Sequence, residues 1–144
     1  MSQLALHPYL FFPGNCHEAM NYYQSILGGK LQILKADEEA EKRCPSMKGK
    51  VMHSCLQLDS GNVLQGSDDP NNSQVTHSGF SLSITAKSVE EGEKLFQALS
   101  NDGKVTMAFG KTSFSAGFGT CKDKYGVGWM VYVCTGNQSV STTQ

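Results

Sequence analysis

Charge of one sign is what this 144-residue chain most lacks: 12 Lys and Arg stand against 13 Asp and Glu, for a net charge of −1. Binding to nucleic acid or to an anionic membrane needs a basic patch or stripe, and here the basic residues are scattered. Neither partner is expected. No apolar run approaches the roughly 20 residues of a membrane-spanning helix. Met1 to Leu6 lacks the basic start and apolar stretch of a secretory signal. The five cysteines are an odd number with no C-x-x-C pair and no regular spacing. We read them as reduced, mostly buried thiols of a cytoplasmic protein. A glycine-rich strand-to-helix turn for a nucleotide-like cofactor is also missing. Gly117-Phe118-Gly119 precedes a strand rather than a helix, and reads as a flexible loop or bulge. What remains is enough apolar sequence, 39%, for one domain to bury a core without staples.

Within that ordinary composition the chain repeats itself. Asn15-Cys16-His17-Glu18 has the form of a helix N-cap followed by a glutamate, and so does Ser88-Val89-Glu90-Glu91, 73 residues later. The same offset carries Tyr23 onto Phe96 and Ile26 onto Leu99, and both helices run into glycine. Upstream, Leu10 matches Leu82 and Phe12 matches Ile84 at an offset of 72. A period of half the chain is not that of a solenoid. It implies two small αβ modules, each needing a partner surface.

The first module spans about 6–69. It reads as a strand Tyr9 to Phe12, a helix Cys16 to Leu27, a strand Lys30 to Lys35, a mobile polar loop Asp37 to Lys50, and a hairpin of Val51 to Leu58 with Asn62 to Ser67. Asp68 to Gln74 is the expected linker. The second module, about 77–134, reads as a strand Phe80 to Ile84, a helix Val89 to Ser100 and a strand Val105 to Phe109. A loop Gly110 to Gly117 follows, then a hairpin of Phe118 to Lys122 with Val127 to Cys134. The polar tail 135–144 is expected to be disordered, and the whole chain, 1–144, to be one domain. The fold class is α+β, with two tandem β-α-β-β-β modules.

Strand alternation separates a helix-covered face from an open one. Leu10, Phe12, Phe80, Leu82, Ile84, Trp129, Val131 and Val133 take the helix side. The other face receives His7, Tyr9, Phe11, His53, Cys55, Gln57, Ser81, Ser83, Met130 and Tyr132. Gln65 joins them if Asp59-Ser60-Gly61 is a three-residue bulged turn that sets it across from Cys55. Aromatic walls with a few amide, imidazole and hydroxyl groups are what a small-molecule site uses. Cys55 beside His53 is no evidence of a nucleophile and base, because residues two apart on a strand are neighbours by the pleat alone.

Tyr9-Leu10-Phe11-Phe12, Glu18-Ala19, Tyr22-Tyr23, Leu27-Gly28-Gly29, Met52-His53, Asp68 and the run Asp123 to Met130 together resemble the PhnB-like proteins, over about residues 6–134. These belong to the vicinal oxygen chelate superfamily of glyoxalase I, bleomycin-resistance proteins, fosfomycin-modifying enzymes and extradiol dioxygenases. The resemblance implies curved half-barrel sheets with helices on the convex face, and a homodimer. It also implies divalent-metal ligands on the first and last strands of each module. In this register those positions are His7, Gln65, Gly79 and Met130, of which only His7 is a good ligand. A displaced set of His7, His53 and His77 is the weak alternative.

The leading reading is a module that binds a small molecule on the concave sheet face through Tyr9, His53, Gln65, Met130 and Tyr132, with no cofactor and no metal at the superfamily's positions. The alternative is a divergent metal-dependent enzyme of glyoxalase, dioxygenase or transferase type using the displaced histidines. A third reading is a dimeric scaffold with no ligand.

Overall fold

Apolar residues at helical spacing fold Cys16–Leu27 into α1, whose Cys16, Ala19, Met20 and Tyr23 are buried. In the computed structural model, which describes residues 4–72 and 74–135, α1 follows β1 (Tyr9–Phe12) and precedes β2 (Lys30–Lys35). After α2 (Glu38–Arg43), β3 (Val51–Gln57) and β4 (Val63–Asp68) complete a sheet of order β1-β4-β3-β2. In it β1 runs parallel to β4, and the other pairs are antiparallel. The chain divides into two compact units between Val75 and Thr76.

The second unit repeats this topology. β5 (Leu82–Ala86), α3 (Val89–Ser100), β6 (Lys104–Thr112), β7 (Ser115–Lys122) and β8 (Gly128–Val133) form a sheet of order β5-β8-β7-β6, again with one parallel pair. Each unit buries one sheet face beneath its helix. Leu10, Phe12, Leu56 and Leu64 do this in the first unit, and Ala86, Trp129, Val131 and Val133 in the second. The glycines after the two helices have the same task. A Cβ on Gly29 would strike the Gln57 carbonyl, and one on Gly103 the Lys122 carbonyl.

Several elements differ from the sequence reading. The polar loop 37–50 contains α2 and a 3-10 turn, Pro45–Met47. Asp37 caps α2 by accepting the Ala40 N–H at 2.8 Å, and Lys42 and Arg43 sit in its last turn, where the helix dipole favours cations. No residue of α2 is buried, so hydrophobic periodicity gives no sign of it. The loop expected at Gly110–Gly117 is strand on both sides of a tight turn at Ser113-Phe114, where the Thr112 and Ser115 hydroxyls bond at 2.6 Å. Gly117 and Gly119 lie inside β7 because Phe109 and Phe96 fill the space above them. A Cβ at Gly117 would come within 2.5 Å of Phe109 Cζ, and one at Gly119 within 2.8 Å of Phe96 Cε1. β5 starts two residues later than expected, since its parallel pairing begins at Leu82 with Trp129, and Phe80 is left exposed. Asp68 belongs to β4 and not to the linker. Of the tail 135–144, all but Thr135 lies outside the described residues.

The two helix starts, alike in sequence, are built differently. Ser88 accepts the Glu91 N–H at 3.1 Å, and the Glu91 carboxylate accepts the Lys87 N–H at 2.8 Å, a reciprocal cap. Asn15 makes no side-chain cap bond, and its buried Oδ1 has no partner. The cap of α1 comes instead from β4. One oxygen of buried Asp68 accepts the Cys16 N–H at 2.9 Å, and the other accepts the Val51 N–H at 2.9 Å.

Removing that carboxylate strands two buried amides, so Asp68→Ala is expected to cost about 3 kcal/mol, against about 1 kcal/mol for Ser88→Ala and under about 0.5 kcal/mol for Asn15→Ala. Urea unfolding of the three variants measures the order. Equal losses for Asn15→Ala and Asp68→Ala would contradict it.

Candidate functional site

The helix-free face of the first sheet is set out by register. Tyr9 on β1 stands beside Gln65 on β4, Gln65 opposite Cys55 on β3, and Cys55 opposite Gln32 on β2. The pairing of Gln65 with Cys55 is the one the bulged turn requires, and Gly61 supplies the positive φ of 97° there. The next row carries Phe11 beside Ser67, and His53 opposite Leu34. Tyr9 and His53 flank β4 and meet across it, with the phenol oxygen 3.2 Å from Nδ1 and ring centroids 5.8 Å apart. Phe11 lies 5.3 Å from the Tyr9 ring and is half exposed. Half-buried Gln65 makes no side-chain hydrogen bond among the described residues. This face therefore offers an aromatic wall, an imidazole whose Nδ1 is engaged, and an unengaged amide.

In the second sheet Met130 lies between Ser83 and Thr120, and Tyr132 between Thr85 and Phe118. Two residues assigned to no site by the sequence reading join them. Phe114, at the β6–β7 turn, stands edge-on to Phe118 at 5.2 Å and nearly parallel to Tyr132 at 6.5 Å. The Tyr132 hydroxyl donates to the Phe114 carbonyl at 3.3 Å. Burial, then the Cys134 thiol alongside, hold that phenol above its ordinary range. Strand alternation continued back from Lys122 would have placed Phe118 here, but the glycines around it looked like a loop.

The four superfamily metal positions do not fit a divalent ion. His7 is exposed and precedes β1, Gly79 has no side chain and a φ of 80°, Gln65 is a weak neutral donor, and Met130 offers a soft thioether. Nor do three or more His, Cys, Asp or Glu side chains converge as a metal-holding group among the described residues. Of the displaced set, His53 is bonded to Tyr9 through Nδ1. Burial lowers the His77 pKa, partly offset by the charge of Asp123. Asp123 is itself buried, accepting the Tyr125 and Val127 amides and the Trp129 indole N–H at 2.8–3.0 Å. At the N-termini of α1 and α3, Asp68 and Ser88 each already accept one first-turn amide.

Residues 5–132 match the model of the family described as 3-demethylubiquinone-9 3-methyltransferase. The chain belongs to that family. It is 34% identical to protein YjdN of Escherichia coli K12 over 90% of this chain and 95% of YjdN. It superimposes on protein PA1353 of Pseudomonas aeruginosa with a TM-score of 0.79 and 38% identity, covering 91% of this chain and 98% of that one. A Bacillus cereus PhnB protein, named a putative 3-demethylubiquinone-9 3-methyltransferase, gives 0.77 and 31%, covering 91% and 100%. A glyoxylase/bleomycin resistance/dioxygenase domain from Frankia shares the fold at 0.68 and 11% identity, covering 95% and 96%. The likeness to the Frankia domain is one of fold, and it matches the β-α-β-β-β repeat.

None of the described cysteines is paired in a disulfide. Burial pushes the Cys16 thiol up to about 11, with the Ser54 hydrogen bond opposing and the Asp68 charge adding. Burial, then the Asp123 charge, push Cys121 up to about 11 as well. Both are neutral, unreactive thiols at pH 7. In the unfolded chain they lose their protons first, so their contribution to stability is whole below about pH 9 and is lost as pH rises toward about 11. Urea midpoints measured from pH 8 to 11 should fall in that window, less steeply in Cys16→Ala. An unchanged slope in that variant would show that the thiol does not titrate as described.

Proposed function

We propose that this PhnB-like chain binds a small, partly aromatic molecule on its helix-free sheet faces, and that it does so without a metal at the superfamily's four ligand positions. The observation that carries this reading is the exposure of aromatic rings there, beside unengaged polar groups. Tyr9 is 38% exposed, Phe11 50% and Phe114 53%, although all three stand in ordered ring clusters. Exposed apolar groups gathered around a few polar ones suit a ligand better than water. Tyr9, His53 and Gln65 serve on the first sheet, Met130 and Tyr132 on the second.

A methyltransferase activity, as the family description has it, is not part of this reading, since the sequence shows no glycine-rich strand-to-helix turn for a nucleotide-like cofactor. The superfamily resemblance and the exposed Leu34, Val105 and Met107 support a homodimer, and the unpaired thiols support a reducing, cytoplasmic setting. No helix among the described residues is long and apolar enough to cross a membrane.

A thermal-shift screen of small aromatic compounds tests the reading. Ligand at about 100 times its Kd stabilises by about 2.7 kcal/mol by mass action, without added metal. Gln65→Ala and Tyr132→Ala should each weaken a ligand held on their own sheet by about tenfold. Unchanged affinity of every ligand in both variants would sink the site assignment. Elemental analysis of untagged protein provides the opposite arm, because stoichiometric metal that is lost in His7→Ala would establish the metal-dependent alternative.

A further inference from the structure

The Tyr9–His53 pair sets a chemical polarity on the first sheet. A phenol is a better acid than an imidazole N–H, and an imidazole ring nitrogen is a better base than a phenol oxygen. The 3.2 Å contact is therefore best made with Tyr9 O–H donating to Nδ1. That direction fixes the neutral His53 ring with its proton on Nε2, a donor with no protein partner among the described residues. The amide of Gln65 lies on the same face, on the strand between Tyr9 and His53, and is also unbonded. Diagonal neighbours on adjacent strands lie about 7–8 Å apart at the backbone, within reach of one ligand group for long side chains. Phe11 and Tyr9 supply a ring wall beside these donors, and both are open to solvent.

We propose that Tyr9 is a positioning residue that locks His53 as an Nε2–H donor, so that His53 and Gln65 together receive the carbonyl or carboxylate oxygen of an aromatic ligand whose ring rests on Tyr9 and Phe11. This rests on the binding reading above and narrows it to ligands that accept hydrogen bonds next to a planar ring. The arrangement disfavours ring compounds that carry only donors at the His53 end, where a cationic or N–H-rich group would face the Nε2–H, while the Gln65 amide can turn its N–H to an acceptor held there. Without the phenol, the Tyr9→Phe ring keeps its wall but releases the tautomer.

Nitrogen-15 NMR of labelled histidine reads the tautomer directly, with or without a ligand. The His53 signals are expected to report the Nε2–H form in the unaltered chain and a mixture of forms in Tyr9→Phe. Benzoate and benzamide are expected to perturb the His53 Nε2 signal, benzylamine is not, and Tyr9→Phe should weaken both acceptor probes about twofold, by the fraction of the Nε2–H form lost, with its backbone spectrum unchanged. An Nδ1–H tautomer in the unaltered chain overturns the proposal, as does equal binding of benzylamine and benzoate or full affinity in Tyr9→Phe. If His53 shows the Nε2–H form while no probe and no compound of the aromatic screen binds, the ligand assignment fails together with the broader reading. If screened compounds bind but do not depend on an acceptor group, this inference alone fails.

Discussion

One buried carboxylate organises the first unit. Asp68 ends β4, accepts the first amide of α1 and accepts the first amide of β3, so three elements are tied at one point. A buried charge is costly unless it is fully hydrogen-bonded, and two charge-assisted bonds to otherwise orphaned N–H groups meet that condition. The tie also fixes where β4 stops relative to β1, because Phe12 pairs with Asp68. That register sets Tyr9 beside Gln65, and so decides which side chains share the open face.

The second unit reaches the same topology by other means. β8 closes on buried Val131 and Val133, with no carboxylate to offer α3, so α3 is capped locally by Ser88 and Glu91. Its buried aspartate is placed elsewhere. Asp123 gathers two turn amides and the Trp129 indole, which pins the β7–β8 turn and anchors the largest core side chain of the unit. Two halves that look duplicated in sequence thus share strand order while distributing their buried charges differently. The helix caps diverged and the pleat did not.

This pattern explains what could be read from the chain. β1, α1, β2 and α3 have the bounds their sequences imply, because each joins an apolar period to a nearby glycine or proline: Pro13 after β1, Gly28 after α1, Gly29 before β2 and Gly103 beyond α3. The pairing of Gln65 with Cys55 followed from turn geometry alone. The cap of α1 was not legible, since Asn15 and Glu18 spell a local cap while the group in use lies 52 residues away. α2 was legible only as one of two readings of the acidic cluster Asp37 to Glu41, a solvated loop or a short helix, because a helix with no buried residue has no apolar stripe. Phe114 was missed because it fell in the expected loop Gly110 to Gly117, and Phe118, at the start of the expected strand, was given no site because the glycines on either side read as a loop or bulge; the bulk of Phe109 and Phe96 shows why the strand needs those glycines. Long-range pairings and close approaches of large side chains are the terms that sequence periodicity does not carry.

The same pleat that preserves the fold leaves the open face free to carry its own chemistry. A metal centre at the superfamily's positions needs hard or borderline donors at the first and last strands, and His7 alone meets that need. The groups capable of directed hydrogen bonding lie in the adjoining rows, at Tyr9, His53 and Gln65. In the proposed tautomer the imidazole N–H suits a hydrogen-bond acceptor, and the neutral amide can turn its own N–H to the same group. Because side chains alternate along a strand, substitutions on this face leave the helix-covered core untouched, and the groups it presents can change without altering what Asp68 and the apolar rows hold in place.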